Sequence, residues 1–329
     1  MGFKRITEIN TIIAETASLL TFNPYLCTMK QHGTYVLDSI DQYNKWHGKE
    51  TLHPLVTVIN HDSTPEWMNG ATVQYKVYAL FLKQGEGCTA RYGRETFDYQ
   101  DGTIVTFAPG QTVTVEWRDD LPMPPSRGLL FHPDLIHGTP LGRKIHDYTY
   151  FDYGQREALH LSERERITVM SLIEQIGAEI EHPVDHHSQT LITDAISLLL
   201  DYCMRYYDRQ FITRHKQCSE VFSQFERQLK EYFEYGSPEH NGLPSVAYFA
   251  DKACLSASYF GDLIKKETGT TAQHHIQYAI IERSKHLLRE SDQGISEIAY
   301  RLGFLYAQHF TRLFKAQTGM SPSEYRKQA

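Results

Sequence analysis

The chain holds 17 histidines and five cysteines, the side chains most able to hold a metal or act as nucleophiles. Their spacing argues against both roles. Cys27, Cys88, Cys203, Cys218 and Cys254 are odd in number and form no Cys-x-x-Cys pair, so they read as free thiols of a reducing cytosol. His132, His137 and His146 are too loosely spaced to imply one site, and the β-rich part has no His-x-His. The adjacent pairs His186-His187 and His274-His275 point to different faces. No catalytic residue, metal or cofactor is expected. The spacing that does carry meaning is a repeat: Phe-x-x-Leu-(Ile/Phe)-Lys-x-x-Thr-Gly occurs at Phe260–Gly269 and again at Phe310–Gly319. Its lysines, with Lys266 beside the first, could meet phosphate or simply complement a helix C-terminus.

Each copy of the repeat must be positioned by a short helix, a tight break and a second helix. In the second copy Ile295, Ile298, Ala299 and Leu302 recur at helical spacing, Gly303 ends the helix at positive φ, and Phe310, Leu313 and Phe314 face inward. In the first copy Val246, Phe249 and Ala250 lead in, Cys254-Leu255 make the break, and Phe260, Leu263 and Ile264 point inward. Cys254 reads as a small buried residue, with a redox switch as the alternative. The small Ala299 allows close helix crossing. From the alanine to the phenylalanine the second copy is one residue longer. Thr270 with Gln273, and Ser321 with Glu324, read as capping boxes. A helix from Ala272 to about Arg289 joins the units and spans roughly 27 Å, near the ~34 Å between successive major-groove faces of a duplex.

The run Ile295–Phe304, with His309–Lys315 and Gly319–Arg326, resembles the signature of the AraC/XylS family of bacterial transcription regulators over residues 217–329. The resemblance implies two recognition helices entering adjacent major grooves. It places the base-facing positions at Ser256, Ala257, Ser258, Gly261 and Asp262 in the first unit, and at Tyr306, Ala307, Gln308, His309 and Arg312 in the second. Gln308 and Arg312 each offer a bidentate fork, suited to adenine and guanine edges; for Arg312 a phosphate contact stays open. Lys265 and Lys315 are expected at phosphates. Asp262 could accept from a cytosine amino group or face solvent, so sequence reading is expected mostly from the second unit. The implied partners are double-stranded promoter DNA, RNA polymerase and an unidentified small-molecule effector. The family leans toward activation.

Charge agrees modestly: residues 243–329 carry +3 and the remainder −10, within a net −7. No run approaches the roughly 18 apolar residues of a membrane span, and no signal-peptide layout opens the chain, so a cytoplasmic protein is expected.

The expected fold class is multidomain α+β. Residues 5–20 read as an amphipathic helix. From about residue 25 to 155, β-rich runs (Leu55–Ile59, Val73–Leu82, Gly102–Phe107, Thr112–Trp117) separated by Gly, Pro and Asn turns suggest an all-β barrel or sandwich. Gly102–Gly110 resembles a stretch of cupin barrels, the usual sensor in the AraC/XylS family. Cupin enzymes bind metal through a histidine cluster that is missing here, which disfavours an enzyme. Tyr75, Tyr78, Phe81, Tyr92, Phe107, Trp117 and Phe131 are candidates for a pocket lining or for core. A helix from Ser162 to about Glu181 opens with a capping box, and one from Ser188 to Asp208 carries a wide apolar face. In AraC-like proteins such helices dimerise, so a homodimer is expected. The expected domains are a cupin-like sensor at 1–160, a helical dimerisation region at 161–210, a linker at 211–217 and the double helix-turn-helix at 218–329. A cupin-fold enzyme, or a protein-binding adaptor with an appended helical module, is the alternative.

Overall fold

The computed structural model of the protein describes residues 34–61, 65–83, 88–92, 95–99, 102–117, 125–154, 157–213, 215–235 and 238–328. The helix expected over residues 5–20 lies outside them.

The N-terminal part is built on two five-stranded sheets. Its strands are β1 Thr34–Leu37, β2 Val56–His61, β3 Ala71–Tyr75, β4 Tyr78–Lys83, β5 Cys88–Tyr92, β6 Glu95–Tyr99, β7 Thr103–Phe107, β8 Thr112–Trp117, β9 Ser126–Phe131 and β10 Leu159–His160. One sheet runs β1-β3-β8-β5-β6 and the other β10-β7-β4-β9-β2. In β3 buried Ala71, Val73 and Tyr75 alternate with half-buried Thr72 and Gln74, the period of a strand covered on one face. β7 is buried along its whole length, because the second sheet is covered on both faces.

The face between the sheets is filled by side chains. Tyr75 stacks on Phe107 at 5.0 Å and meets Phe81 edge-on at 6.5 Å. These three candidate pocket residues are therefore core. Tyr78 and Phe131 stack at 5.0 Å in the cluster on the other face of the second sheet. The side chains of Tyr92 and Trp117 lie outside the described residues. The single run expected over Val73–Leu82 is two strands in different sheets, broken at Lys76-Val77. Val77 is fully buried in the inter-sheet core, so the chain turns a corner there without a polar signal that alternation could register.

Short helices α1 Ile40–Trp46, α2 Pro133–Ile136 and α3 Pro140–Lys144 edge this part, and two long ones follow, α4 Glu163–Glu181 and α5 Ser188–Thr213. The Ser162 capping box is present: its hydroxyl accepts from Glu165 N at 3.5 Å, and Ser162 N donates to Glu165 Oε2 at 2.8 Å. Val169, Leu172, Ile173 and Ile176 of α4 are buried in the same cluster as Val56, Leu80, Leu129 and Phe131 of the second sheet.

Residues 211–213, expected to open the linker, belong with Arg209 and Gln210 to the last turn of α5, and α6 His215–Tyr235 follows. The polar side chains there are all engaged. Arg209 grips Glu165 with Nε at 3.1 Å and Nη2 at 2.8 Å, and Gln210 accepts from His160 N at 2.9 Å. Phe211 is buried. The C-terminal helices are α7 Pro238–Asn241, α8 Val246–Lys252, α9 Ala257–Thr268, α10 Ala272–Glu290, α11 Ile295–Arg301, α12 Ala307–Thr318 and α13 Pro322–Gln328. Among the described residues, no helix is long and apolar enough to cross a membrane.

Candidate nucleic-acid interface

Each repeat folds into a helix, a short break (residues 253–256 in the first unit, 302–306 in the second) and a second helix. In the first, α8 is capped by Ser245, whose hydroxyl accepts from Tyr248 N at 3.1 Å. The break closes when Leu255 N returns to Ala250 O at 2.9 Å; in the second unit Phe304 N returns to Ala299 O at 3.0 Å. Ala250 and Ala299 are wholly buried beneath these turns. The turn residue is Cys254 at φ 56° in one unit and Gly303 at φ 93° in the other. Leu255 and Phe304 thus correspond, and the extra residue of the second unit lies beyond Phe304, at the 80% exposed Leu305.

Cys254 is exposed rather than buried as expected, and the left-handed conformation explains why: its side chain is thrown outward from the turn. That conformation costs a non-glycine residue about 1 kcal/mol. Cys254→Gly is expected to raise the stability of the C-terminal part by up to that amount, read as a later urea midpoint at unchanged m-value. No change would mean that the unfolded-state entropy of glycine cancels the relief.

The shared Thr-Gly is a helix stop. Thr268 Oγ1 donates to Ile264 O at 2.8 Å and accepts from Thr270 N at 3.2 Å; Thr318 repeats this with Phe314 O at 2.8 Å and Met320 N at 3.4 Å. Gly269 and Gly319 follow at φ 76° and 81°. The next helix start sits one residue later than the capping box read at Thr270 and Gln273. Thr271 is the cap, accepting from His274 N at 3.2 Å, because the Thr270 hydroxyl is taken by His275 Nε2 at 2.8 Å. The Ser321–Glu324 box forms as read.

Phe260, Leu263 and Ile264 in α9, and Phe310 and Phe314 in α12, are buried and fix each second helix against its unit, while Leu313 is half-buried. In α12 the outward residues Gln308, His309, Arg312 and Lys315 are exposed, with Tyr306 just before them and Ala307 half-buried. Neither Gln308 nor Arg312 makes a hydrogen bond or ion pair among the described residues, so both forks point outward unengaged.

The first unit differs. Ala257 and Lys265 are exposed, but Ser256, Ser258, Gly261 and Asp262 are half-buried, and sequence reasoning missed the cause. Ser256 N donates to Glu157 Oε1 at 2.6 Å, and the Ser256 hydroxyl bonds the other oxygen of the same carboxylate. Tyr153 OH donates to Asp262 Oδ2 at 2.7 Å. Burial, and then the Asp262 carboxylate beside it, hold the Tyr153 phenol far above its usual pKa, so it stays a donor. Tyr259 packs edge-on against Tyr153 at 5.1 Å and on Phe211 at 4.9 Å. Lys266 pairs with Asp208 at 2.7 Å.

Residues 249–328 match the family profile described as "Helix-turn-helix domain". The HTH-type transcriptional activator RhaS of Citrobacter koseri is 37% identical over 78 residues, 24% of this chain and 28% of that protein. RhaS of Escherichia fergusonii is 36% identical over 78 residues, with the same coverage. Residues 249–328 form an AraC/XylS-type helix-turn-helix domain. The chain spans 28% of the length of these curated relatives. The C-terminal domain of AraT, a response regulator from Geobacillus stearothermophilus, is 26% identical, covering 32% of this chain and 85% of that one, with a TM-score of 0.29. Among the described residues, no three His, Cys, Asp or Glu are grouped to hold a metal ion.

Proposed function

We propose that the chain is a sequence-specific DNA-binding transcription regulator, whose AraC-type domain reads promoter DNA under the control of an N-terminal sensor. The observation that carries this reading is the outward, unengaged pair Gln308 and Arg312, one turn apart on a helix whose apolar back is locked in place. Such a pair can span neighbouring base edges in a major groove, with Lys315 and Lys265 on phosphates. The 19-residue α10 sets the two units apart by roughly 28 Å, suited to successive grooves on one face of a duplex. The relatives' name supports activation, with RNA polymerase as the second partner. The two-sheet N-terminal part is read as a cupin-like sensor and not as an enzyme.

Exposed Ile167 on α4, with exposed Leu191 and Leu198 seven residues apart on α5, supports a homodimer through these helices. The test is enrichment of duplexes from a random-sequence pool, followed by mobility shifts across a salt series. Affinity is expected to fall linearly with salt on logarithmic axes. A salt-independent affinity overturns DNA as the partner. Leu191→Asp with Leu198→Asp is expected to sediment as a monomer where the unaltered chain sediments as a dimer.

A further inference from the structure

The two helix-turn-helix units are near copies, so the second shows how the first looks when nothing covers it. Aligning Phe260 with Phe310 matches Ser256 with Tyr306, Ser258 with Gln308, Tyr259 with His309 and Asp262 with Arg312. All four second-unit residues are exposed. Three of their first-unit counterparts are half-buried, and Tyr259 is only 5% exposed. The cover comes from the N-terminal part: Tyr153 on Asp262 and Tyr259, Glu157 on Ser256, Asp208 on Lys266, and Phe211 on Tyr259.

We propose that these contacts form an autoinhibitory latch in which the N-terminal part holds the groove-facing side of the first recognition helix, so that both units engage DNA only once the latch opens. The inference rests on the DNA-binding reading above. Its chemistry is competitive. Glu157, 2% exposed, lays its carboxylate on the amide and hydroxyl of Ser256, the residue that caps the start of the helix, a place that favours a phosphate. Asp208 likewise occupies Lys266, a cation that would otherwise meet the DNA backbone. Two carboxylates therefore hold the groups that two phosphates would use, and the same helix face cannot serve both. The Tyr153 bond to Asp262 adds a neutral donor that satisfies an acidic group otherwise repelled by DNA. An effector that moved Tyr153 and Glu157 would free the Ser256 amide and hydroxyl and uncover Asp262, leaving Asp208 and Phe211 of α5 as the remaining hold on the helix.

The test uses the full chain with changes only on the N-terminal side: Tyr153→Phe with Glu157→Gln, and Tyr153→Phe alone in case loss of the carboxylate impairs folding. Glu181→Gln, on the far end of α4, controls for the change in charge. Hydrogen exchange over 257–265 is expected to rise. Affinity for duplexes of about 40 base pairs enriched from a random pool is expected to increase about fivefold or more, as a larger competent fraction requires. The hydroxyl-radical footprint is expected to lengthen by about 10 base pairs, one helical turn. If wild type and variants bind with equal affinity and footprint, or if Glu181→Gln gains as much, the latch is overturned while DNA binding stands. If none of them enriches or shifts any duplex at low salt, the DNA-binding reading itself falls.

Discussion

Replacing Gly303 by alanine is expected to remove about 3 kcal/mol or more from the C-terminal domain. Gly303 sits at φ 93°, and a Cβ there would stand 2.6 Å from both the carbonyl carbon and oxygen of Gly242 and 2.9 Å from Pro238 O. All three obstacles are backbone atoms, so no side chain can swing aside. Nor is that backbone loose: Gly242 O accepts from Tyr232 OH at 2.9 Å, and Gly242 N donates to Pro238 O at 2.7 Å. The internal repeat separates the two causes. Cys254 tolerates positive φ at the matching turn, so most of the loss at Gly303 comes from the close approach of α7. Thermal unfolding should show the C-terminal transition falling by about 12 °C or more. An unchanged midpoint would mean that the 238–242 segment shifts at little cost.

Truncating the two forks should have the largest effect on recognition. Arg312→Ala and Gln308→Ala are each expected to weaken binding to an enriched duplex by about 1–3 kcal/mol, roughly 5- to 150-fold. The pattern matters as much as the size. A base contact relaxes preference at one position of the site, so the variant's own enriched pool should lose information there. A phosphate contact weakens every sequence alike and lowers the salt slope by about one, which is the expectation for Lys315→Ala. Both residues are exposed, so neither truncation should alter unfolding. If both leave specific affinity unchanged, the second unit is not the reader.

What could be read from the chain was what neighbours in sequence decide. The repeat, the glycine stops, the Ser162 and Ser321 caps and the inward phenylalanines all depend on contacts within a few residues, and each leaves a spacing. The Thr270 cap was one residue off because two adjacent threonines offer the same hydroxyl, and only the position of His275 chooses between them. From sequence, Asp262 is open to a cytosine amino group or to solvent; its partner in the structure, Tyr153, lies 109 residues away. Glu157 and Ser256 are 99 residues apart. No periodicity links such pairs, and a carboxylate bound to a helix start looks in sequence like any surface acid. The corner at Val77 was hidden for a related reason, since the residue that crosses between sheets is as apolar as the strands it joins.

The near continuity of α5 and α6 bears on anyone who would build a chimera from this chain. A flexible tether of ten residues would let a grafted reader wander over roughly 17 Å. Here one helix closes at Thr213 and the next opens at His215, with the Cys218 thiol against Phe211 O at 3.8 Å. A splice anywhere in 209–217 would cut Arg209 from Glu165 or Phe211 from Tyr259. A foreign sensor joined there would carry its reader without the side chains that α9 meets in its own protein. Exchange of modules in this protein would therefore have to move α5 with the reader, or rebuild its last two turns.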